Sequence, residues 1–148
     1  MTDPRDTELS TDDCWALLAR QELGRLAFRV LDEQHITPIN YAVDVTGQRR
    51  PSLLFRTTRT ATKLLSAELG GEVALEIDEI EEDTATSVVV RGFARRLADE
   101  EAHRAENLPL RPWVGPEKHD VVEIVPSVVT GRRFHLSRPW RHLRPAPD

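Results

Sequence analysis

The sequence predicts a mostly β protein, a β-barrel with peripheral helices. About six segments show the alternating or clustered apolar pattern of strands, whereas only two or three short stretches show a helical pattern. The chain has 148 residues, enough for one domain that buries a core of its own. Because it contains one cysteine, neither an intrachain disulfide nor a thiolate zinc cluster can stabilise the fold.

The N-terminal region predicts a flexible arm followed by a short helix. Residues 1–9 are polar and form the expected arm. Ser10 is the expected N-cap of the helix, with Asp13 in the position of the acidic residue of a capping box. Gly24 is expected to end the helical region and to open the first strand.

The later elements are predicted from alternation and from turn residues. Val73, Leu75 and Ile77 alternate with polar residues, which is typical of a half-buried strand. Val88–Val90 is apolar on both faces, which suggests barrel interior on one side and a partner or helix on the other. Pro38 is typical of an edge or a bulge. The expected strands are 24–28, 36–45, 52–57, 73–78, 87–97 and 121–134, the last resuming after Pro126, and the expected later helices are 60–69 and 99–107.

Charge and hydropathy exclude several classes of function. The formal net charge of −5 argues against nucleic acid as the main partner. The N-terminus lacks the apolar core of a signal peptide, and no apolar stretch approaches the roughly 20 residues that span a bilayer. A cytoplasmic protein without a membrane partner is therefore expected.

The barrel domain is predicted over residues 10–136, and residues 137–148 form an extended C-terminal tail. The tail contains three prolines and is rich in arginine. It is expected to be solvated or paired with the acidic hairpin of a partner, although phosphate contacts are an alternative. Trp113 and Trp140 are expected to stack on a cofactor or anchor a dimer, or alternatively to pack in the core.

The most informative stretch for chemistry is the end of the third strand and the helix after it. The strand ends at Arg56 and Thr57, and the helix begins near residues 60–62. Helix N-termini bind phosphate, whereas cations in a first turn oppose the helix dipole unless an anion is present. An anion site is therefore expected, and a capped helix with a solvated basic turn is the alternative. The residues available are Arg56, Thr57, Thr58, Arg59, Thr60, Thr62 and Lys63.

Other polar candidates have simpler explanations. The acidic run 78–83 is expected to be a solvated hairpin end, with a divalent cation site as the alternative. Cys14 is expected to pack on the apolar side of the first helix. The histidines show no metal-ligand spacing, and they are His35, His103, His119, His135 and His142.

Several short motifs, in their order and spacing, resemble those of the pyridoxamine-phosphate-oxidase-like flavin-binding split-barrel superfamily, in its short actinobacterial branch. The resemblance extends from about residue 9 to residue 134. The motifs are Leu23–Phe28, Pro38–Tyr41, Leu54–Thr57, Thr62–Leu64, Val73–Glu79, Ser87–Gly92 and Val129–Phe134.

The resemblance implies a six-stranded FMN-binding split barrel that forms a homodimer, with two cofactor sites in the grooves between subunits. By the resemblance, the residues holding the cofactor phosphate are Arg56, Thr57, Thr62 and Lys63. The residues along the ring system, partly through backbone groups, are Pro38, Ile39, Asn40 and Tyr41, and those flanking it are Leu54 and Phe55.

The function implied is that of an FMN-binding oxidoreductase acting on a small molecule, with Tyr41 and Arg91 as candidates for orienting the substrate. An F420-dependent reductase is one alternative, and a non-catalytic flavin- or haem-binding protein is another. In the turn before the lysine, where members of the family commonly carry a glycine, this chain has residues 59–61, and Arg59 there either strengthens or obstructs phosphate binding. Thr86 stands where relatives often carry a tryptophan. The longer C-terminal signature of true pyridoxamine phosphate oxidases is absent, which argues against that activity.

Overall fold

The computed structural model describes residues 5–46, 50–58, 72–106, 108 and 119–137. Strands dominate these ranges, as the sequence predicts. The strands are β1 (Thr7–Glu8), β2 (Leu23–Val30), β3 (Glu33–Asp44), β4 (Ser52–Thr58), β5 (Glu72–Glu81), β6 (Thr84–Arg96) and β7 (His119–His135). The helices are α1 (Thr11–Arg20) and a 3₁₀ helix (Asp99–Ala105).

Six of the strands close into an antiparallel barrel. The order around it is β7-β4-β3-β2-β5-β6, and β6 pairs with β7 again to complete the ring. Closure depends on the length of β7, because residues 119–124 pair with β4 while residues 122–135 pair with β6. The predicted six-stranded barrel is confirmed, and β1 is an additional strand alongside β7.

The barrel core is filled by alternate residues of the strands. Val73, Leu75 and Ile77 are at most 1% exposed, in agreement with the predicted alternation. Val88 and Val90 are fully buried in the same core. From α1, the side chains of Cys14, Leu17 and Leu18 join it.

The start of α1 agrees with the prediction, but its end does not. Ser10 is the N-cap, and its hydroxyl accepts a hydrogen bond from the Asp13 backbone N–H at 3.1 Å. The helix ends at Arg20, and Gly24 lies inside β2. Gly24 ends no helix because it packs between strands, where an added Cβ would lie 2.8 Å from Leu75 Cδ1.

The segment before α1 also differs from the expected arm. Thr7 and Glu8 pair with Arg133 and Arg132 of β7, and the Leu9 N–H donates to the Gly131 carbonyl at 2.9 Å. These residues carry no strong strand pattern of their own. Their conformation comes from a pairing partner at the other end of the chain.

The hairpin between β2 and β3 is longer than predicted. The polar segment 32–34 was expected to separate the strands, but the turn is confined to residues 31 and 32. Pairing begins with Val30 opposite Glu33. Polar residues are tolerated here because the side chains of residues 31–36 are exposed.

Pro126 interrupts β7 without ending it. Gly92 lies opposite Pro126 and Arg91 opposite Val128, so Ser127 is left as the extra residue of a β-bulge. The predicted helix 60–69, Arg59, Trp113, Trp140 and the tail from residue 138 lie outside the described residues. Within the described ranges, no helix is long and apolar enough to span a membrane.

Candidate functional site

Strands β3 and β4 pair over four positions and then separate. The paired segment extends from Asp44 opposite Ser52 to Tyr41 opposite Phe55. Before Tyr41, β3 stays beside β2, whereas beyond Phe55, β4 stays beside β7. Among the described strands, β3 and β4 have no further pairing. We call this opening, with edges 38–40 and 56–58, the split.

Five of the ten residues predicted to bind a cofactor lie on the edges of the split, and three lie beside it. Residues 38–40 are on its β3 edge and residues 56 and 57 on its β4 edge, whereas Tyr41, Leu54 and Phe55 belong to the two residue pairs next to the opening. Pro38 lies in the part of β3 that pairs only with β2 among the described strands, an edge position of the kind expected for proline. Thr62 and Lys63 lie outside the described residues.

The side chains at the split divide between the barrel interior and the outside. Tyr41 and Phe55 are 1% and 2% exposed and belong to the barrel core. Leu54 belongs to a second, outer cluster with Ala42, Leu97 and Ala105. Arg56 is exposed. A ligand in the split would therefore meet the backbone of Tyr41 and Phe55, not their rings.

Two polar side chains on the β3 side are already engaged in structural hydrogen bonds. The Tyr41 hydroxyl donates to the Leu18 carbonyl at 2.7 Å, and burial raises the pKa of this phenol. The Asn40 amide donates to the Glu22 carbonyl at 2.9 Å. Tyr41 is therefore a core residue whose hydroxyl ties β3 to α1, and its role in orienting a substrate stays a prediction. Arg91 lies on β6, which pairs with neither strand of the split.

Arg56 is the cation that the structure places at the split. Its side chain is exposed and makes no ion pair with another described residue, and the neighbouring Thr57 is half-buried. By contrast, Arg25 contacts both Glu76 and Asp78 at 2.6 Å. An exposed arginine without a carboxylate partner among the described residues is suited to bind a phosphate group.

A buried charge cluster lies at the other end of the four-pair segment, and sequence reasoning missed it. Arg104 of the 3₁₀ helix contacts Asp44 of β3 at 2.7 Å and also contacts Glu123 of β7. The Ser52 hydroxyl donates to Glu123 at 2.6 Å. Arg95 binds the other oxygen of Glu123 at 2.7 Å. We call these residues, with Glu101, the Arg104 cluster.

Electrostatics show that the Arg104 cluster is charged in the folded protein. Burial favours neutral Glu123, but hydrogen bonds from Arg104, Ser52 and Arg95 outweigh it and lower the pKa of this carboxyl. Burial likewise disfavours ionised Asp44, yet hydrogen bonds from Thr46 and Arg104 lower its pKa. No short stretch of the sequence predicts this cluster, because its members come from five separated elements.

We expect the Arg104 cluster to make the protein acid-labile. Both carboxyls have a folded pKa below the unfolded values of about 4, so their contribution to stability is present above about pH 4 and is lost as the pH falls through the folded pKa. The free energy of unfolding, measured with urea between pH 6 and pH 3, should fall less steeply with decreasing pH for Asp44→Asn/Glu123→Gln than for the wild type. Asp32→Asn, at an exposed turn, should keep the wild-type slope; equal slopes in all three proteins would contradict the assignment.

Comparison with known proteins agrees with this geometry. The family described as "Pyridoxamine 5'-phosphate oxidase" matches residues 10–133. The uncharacterized protein Rv0080 of Mycobacterium tuberculosis is 36% identical over 133 residues, which are 86% of this chain and 84% of the relative.

Two solved structures have closely similar folds. A conserved protein of unknown function from Corynebacterium diphtheriae is 37% identical with a TM-score of 0.76, over 89% of this chain and 99% of that chain. An FAD-binding protein from Mycobacterium smegmatis is 39% identical with a TM-score of 0.74, over 88% of this chain and 100% of that chain. With its closed six-stranded barrel and the split between β3 and β4, this chain belongs to the pyridoxamine 5'-phosphate oxidase-like family and has the split-barrel fold.

Proposed function

We propose that this protein is a homodimeric flavin-dependent oxidoreductase that holds FMN at the split. The observation that carries the proposal is the exposed Arg56, which has no carboxylate partner among the described residues and stands where β3 and β4 separate. A buried or paired arginine would be explained by folding alone. An unpaired one at the rim of an opening between strands is better explained by an anionic ligand.

The residues present fit a flavin in two respects. Arg56 offers a cation for the phosphate, and Thr57, Thr62 and Lys63, which the resemblance also assigns to the phosphate, follow closely in the sequence. Pro38 and Ile39 of β3 pair with β2 and with no other described strand, so the polar rim of a ring system would meet the β3 backbone along this edge.

The chemistry of the reaction would come from the cofactor. When bound, the isoalloxazine ring supplies hydride or electron transfer, and the protein supplies position and access. The side chains nearest the split on the β3 side, Asn40 and Tyr41, are committed to hydrogen bonds within the fold. The chain's own residues therefore bind and orient, and no acid or base is assigned to them.

The FAD-binding relative from Mycobacterium smegmatis supports a flavin and adds FAD to the cofactors considered. FAD contains the FMN moiety, so one phosphate site at Arg56 serves both. F420 is also anionic in its tail and remains a competitor for the same arginine.

The test is a binding titration with the purified protein. We expect a flavin spectrum on purification, or saturable binding of FMN or FAD that F420 and haem do not match. Oxidation of a reduced nicotinamide by the loaded protein would establish the oxidoreductase. Tighter binding of F420 would reassign the cofactor, a Soret band would identify a haem protein, and binding without turnover would leave a flavin-binding module.

The proposed dimer rests on an apolar strip on the outer face of the barrel. Phe93 and Val125 lie opposite each other on β6 and β7 and are 52% and 42% exposed, and Val128 is 46% exposed. Val89, predicted to face a partner or helix, lies on the opposite face from Val88 and Val90 and is half-buried. None of the four belongs to a core cluster of the described residues, and exposed apolar side chains grouped on one face favour an interaction site. The exposed Arg91 lies among them, opposite Val128.

We expect Phe93→Asp/Val125→Asp to convert the dimer into a monomer. Two carboxylates per subunit would have to be desolvated in the interface, and this costs more free energy than the remaining apolar contacts provide. Light scattering should show a fall in mass from twice 16.8 kDa to 16.8 kDa, with loss of flavin binding in the intersubunit groove. Ile36→Asp, at a 71% exposed position of the β2–β3 hairpin, should remain dimeric. A wild-type monomer would remove both the interface and the shared groove.

A further inference from the structure

The contacts of Arg104 extend to β3 and β4, which form the split, and to β7, which pairs with β4. Its guanidinium contacts Asp44 of β3 at 2.7 Å, reaches Ser52 of β4 at 3.4 Å and binds Glu123 of β7. The side chain is 13% exposed, and those of Asp44 and Glu123 are 0% and 5% exposed. One side chain of the 3₁₀ helix therefore joins β3, β4 and β7.

These contacts act on the short segment where β3 and β4 remain paired. Asp44 opposite Ser52 is one end of that segment, and Tyr41 opposite Phe55, at the split, is the other. Between them, the outer side chains of Ala42 and Leu54 pack against Leu97 and Ala105, which flank or belong to the 3₁₀ helix. The 3₁₀ helix covers the segment, and Arg104 attaches it at the end away from the split.

We infer that Arg104 is a positioning residue for the split, because it holds β3 and β4 at the spacing that a cofactor would require. Without it, two buried carboxylates on β3 and β7 would lose their shared cation. Desolvated charges are costly when unpaired, so the strands that carry them would separate or admit water. With four residue pairs joining β3 to β4, that displacement would reach Tyr41 and Phe55.

The surrounding charges predict which strand is affected most. Glu123 keeps Arg95 of β6 as a second cation, at 2.7 Å, and Arg95 is itself bound to Glu101 at 3.0 Å. Asp44 has Arg104 as its cation among the described residues, and otherwise accepts hydrogen bonds from Thr46. His103 and Arg50 line the cleft beside the cluster and are not bonded to Asp44. Loss of Arg104 would therefore act chiefly on β3.

The experiment compares amide hydrogen exchange and flavin affinity in wild type, Arg104→Gln, Arg104→Lys and the control Arg20→Gln. The control removes an exposed arginine whose partner, Glu79, lies on β5. In Arg104→Gln, we expect exchange in residues 42–44 to accelerate about tenfold while residues 25–27 of the β2–β5 pairing stay protected. The flavin dissociation constant should rise about tenfold, since a displacement of about 1 Å at a site can cost as much as about 100-fold.

Compared with Arg104→Gln, the variant Arg104→Lys should have slower amide exchange in β3 and tighter flavin binding, because an ammonium can reach one carboxylate but not both. Wild-type exchange and affinity in Arg104→Gln would overturn the inference, and so would faster exchange spread evenly over all strands. If Arg104→Gln does not fold, Asp44→Asn gives the same comparison, since it removes the β3 charge alone.

The flavin readout rests on the proposed function, whereas the exchange readout does not. If the wild-type protein binds no flavin, the proposed function fails, and the exchange pattern decides the role of Arg104 by itself. If the wild type binds flavin and Arg104→Gln binds it equally well, the proposed function stands and the positioning role is refuted.

Discussion

Replacing Arg56 and Lys63 together with alanine is expected to abolish flavin binding and to leave a folded dimer. Arg56 is exposed, so truncating its side chain breaks no ion pair with another described residue. Hydrogen bonds to charged groups contribute about 1.5–3 kcal/mol each, so two lost phosphate contacts should weaken binding by about 100-fold or more. The measurement is fluorescence titration with FMN, with circular dichroism and light scattering to establish fold and mass.

A matched control removes two cations from elsewhere on the surface. Arg20→Ala/Arg29→Ala changes the net charge equally, at side chains that are 59% and 64% exposed. Its flavin affinity should equal that of the wild type, except for a small decrease at low salt, where the long-range electrostatic attraction of the protein for an anion is weaker. Unchanged affinity in Arg56→Ala/Lys63→Ala would refute the phosphate site. Equal losses in both double variants would mean that net charge, not a specific site, attracts the flavin.

Gly92→Ala is expected to be the most destabilising single methyl addition among the described glycines. A Cβ at Gly92 would lie 2.1 Å from the Val125 carbonyl oxygen and 2.9 Å from Pro126 Cα. These are backbone atoms at the bulge through which β7 continues past Pro126, so no side-chain rotation relieves the overlap. Overpacking of this kind costs about 1–3 kcal/mol or more, and here the strand pairing itself must shift.

Gly131→Ala is the comparison that tests this reasoning. Its Cβ would lie 2.6 Å from Cys14 Sγ and 2.9 Å from Leu9 Cδ1, which are side-chain atoms that can move. The free energy of unfolding, measured with urea, should therefore fall less than it does for Gly92→Ala. Adding Cys14→Ala to Gly131→Ala should recover part of the lost stability. A Gly131→Ala variant less stable than Gly92→Ala would show that the backbone contact at the bulge is not the limiting one.

Local patterns predicted most of the strands, because alternation depends only on neighbouring residues. Val73, Leu75 and Ile77 are buried as their spacing requires, and Ser10 caps α1 through a contact three residues away. Pro126 was recognised as an interruption because proline cannot donate to a ladder. The turn between β2 and β3 is shorter than predicted. Polar residues usually mark loops, whereas here Glu33 and Gln34 continue the hairpin with exposed side chains.

The resemblance groups residues 38–41 and 54–57, and the structure places them on the edges of the split or in the two residue pairs next to it. That they bind a cofactor stays a prediction. The resemblance does not distinguish Tyr41, whose hydroxyl is bound to the Leu18 carbonyl in the core, from outward-facing neighbours. Alternation assigns two faces to a strand, but which face is interior depends on the barrel that the strand joins.

Residues close together in the chain are enough to predict the barrel class, the N-cap of α1, the interruption at Pro126 and the basic, hydroxyl-rich segment that begins at Arg56. The pairing of β1 with β7, the point at which β3 and β4 separate and the Arg104 cluster depend on contacts between distant parts of the chain. The central contact of the cluster joins Asp44, Arg104 and Glu123, which lie far apart along the chain. Buried charges are tolerated only when opposite charges meet them, and closure of the barrel is what brings these three together.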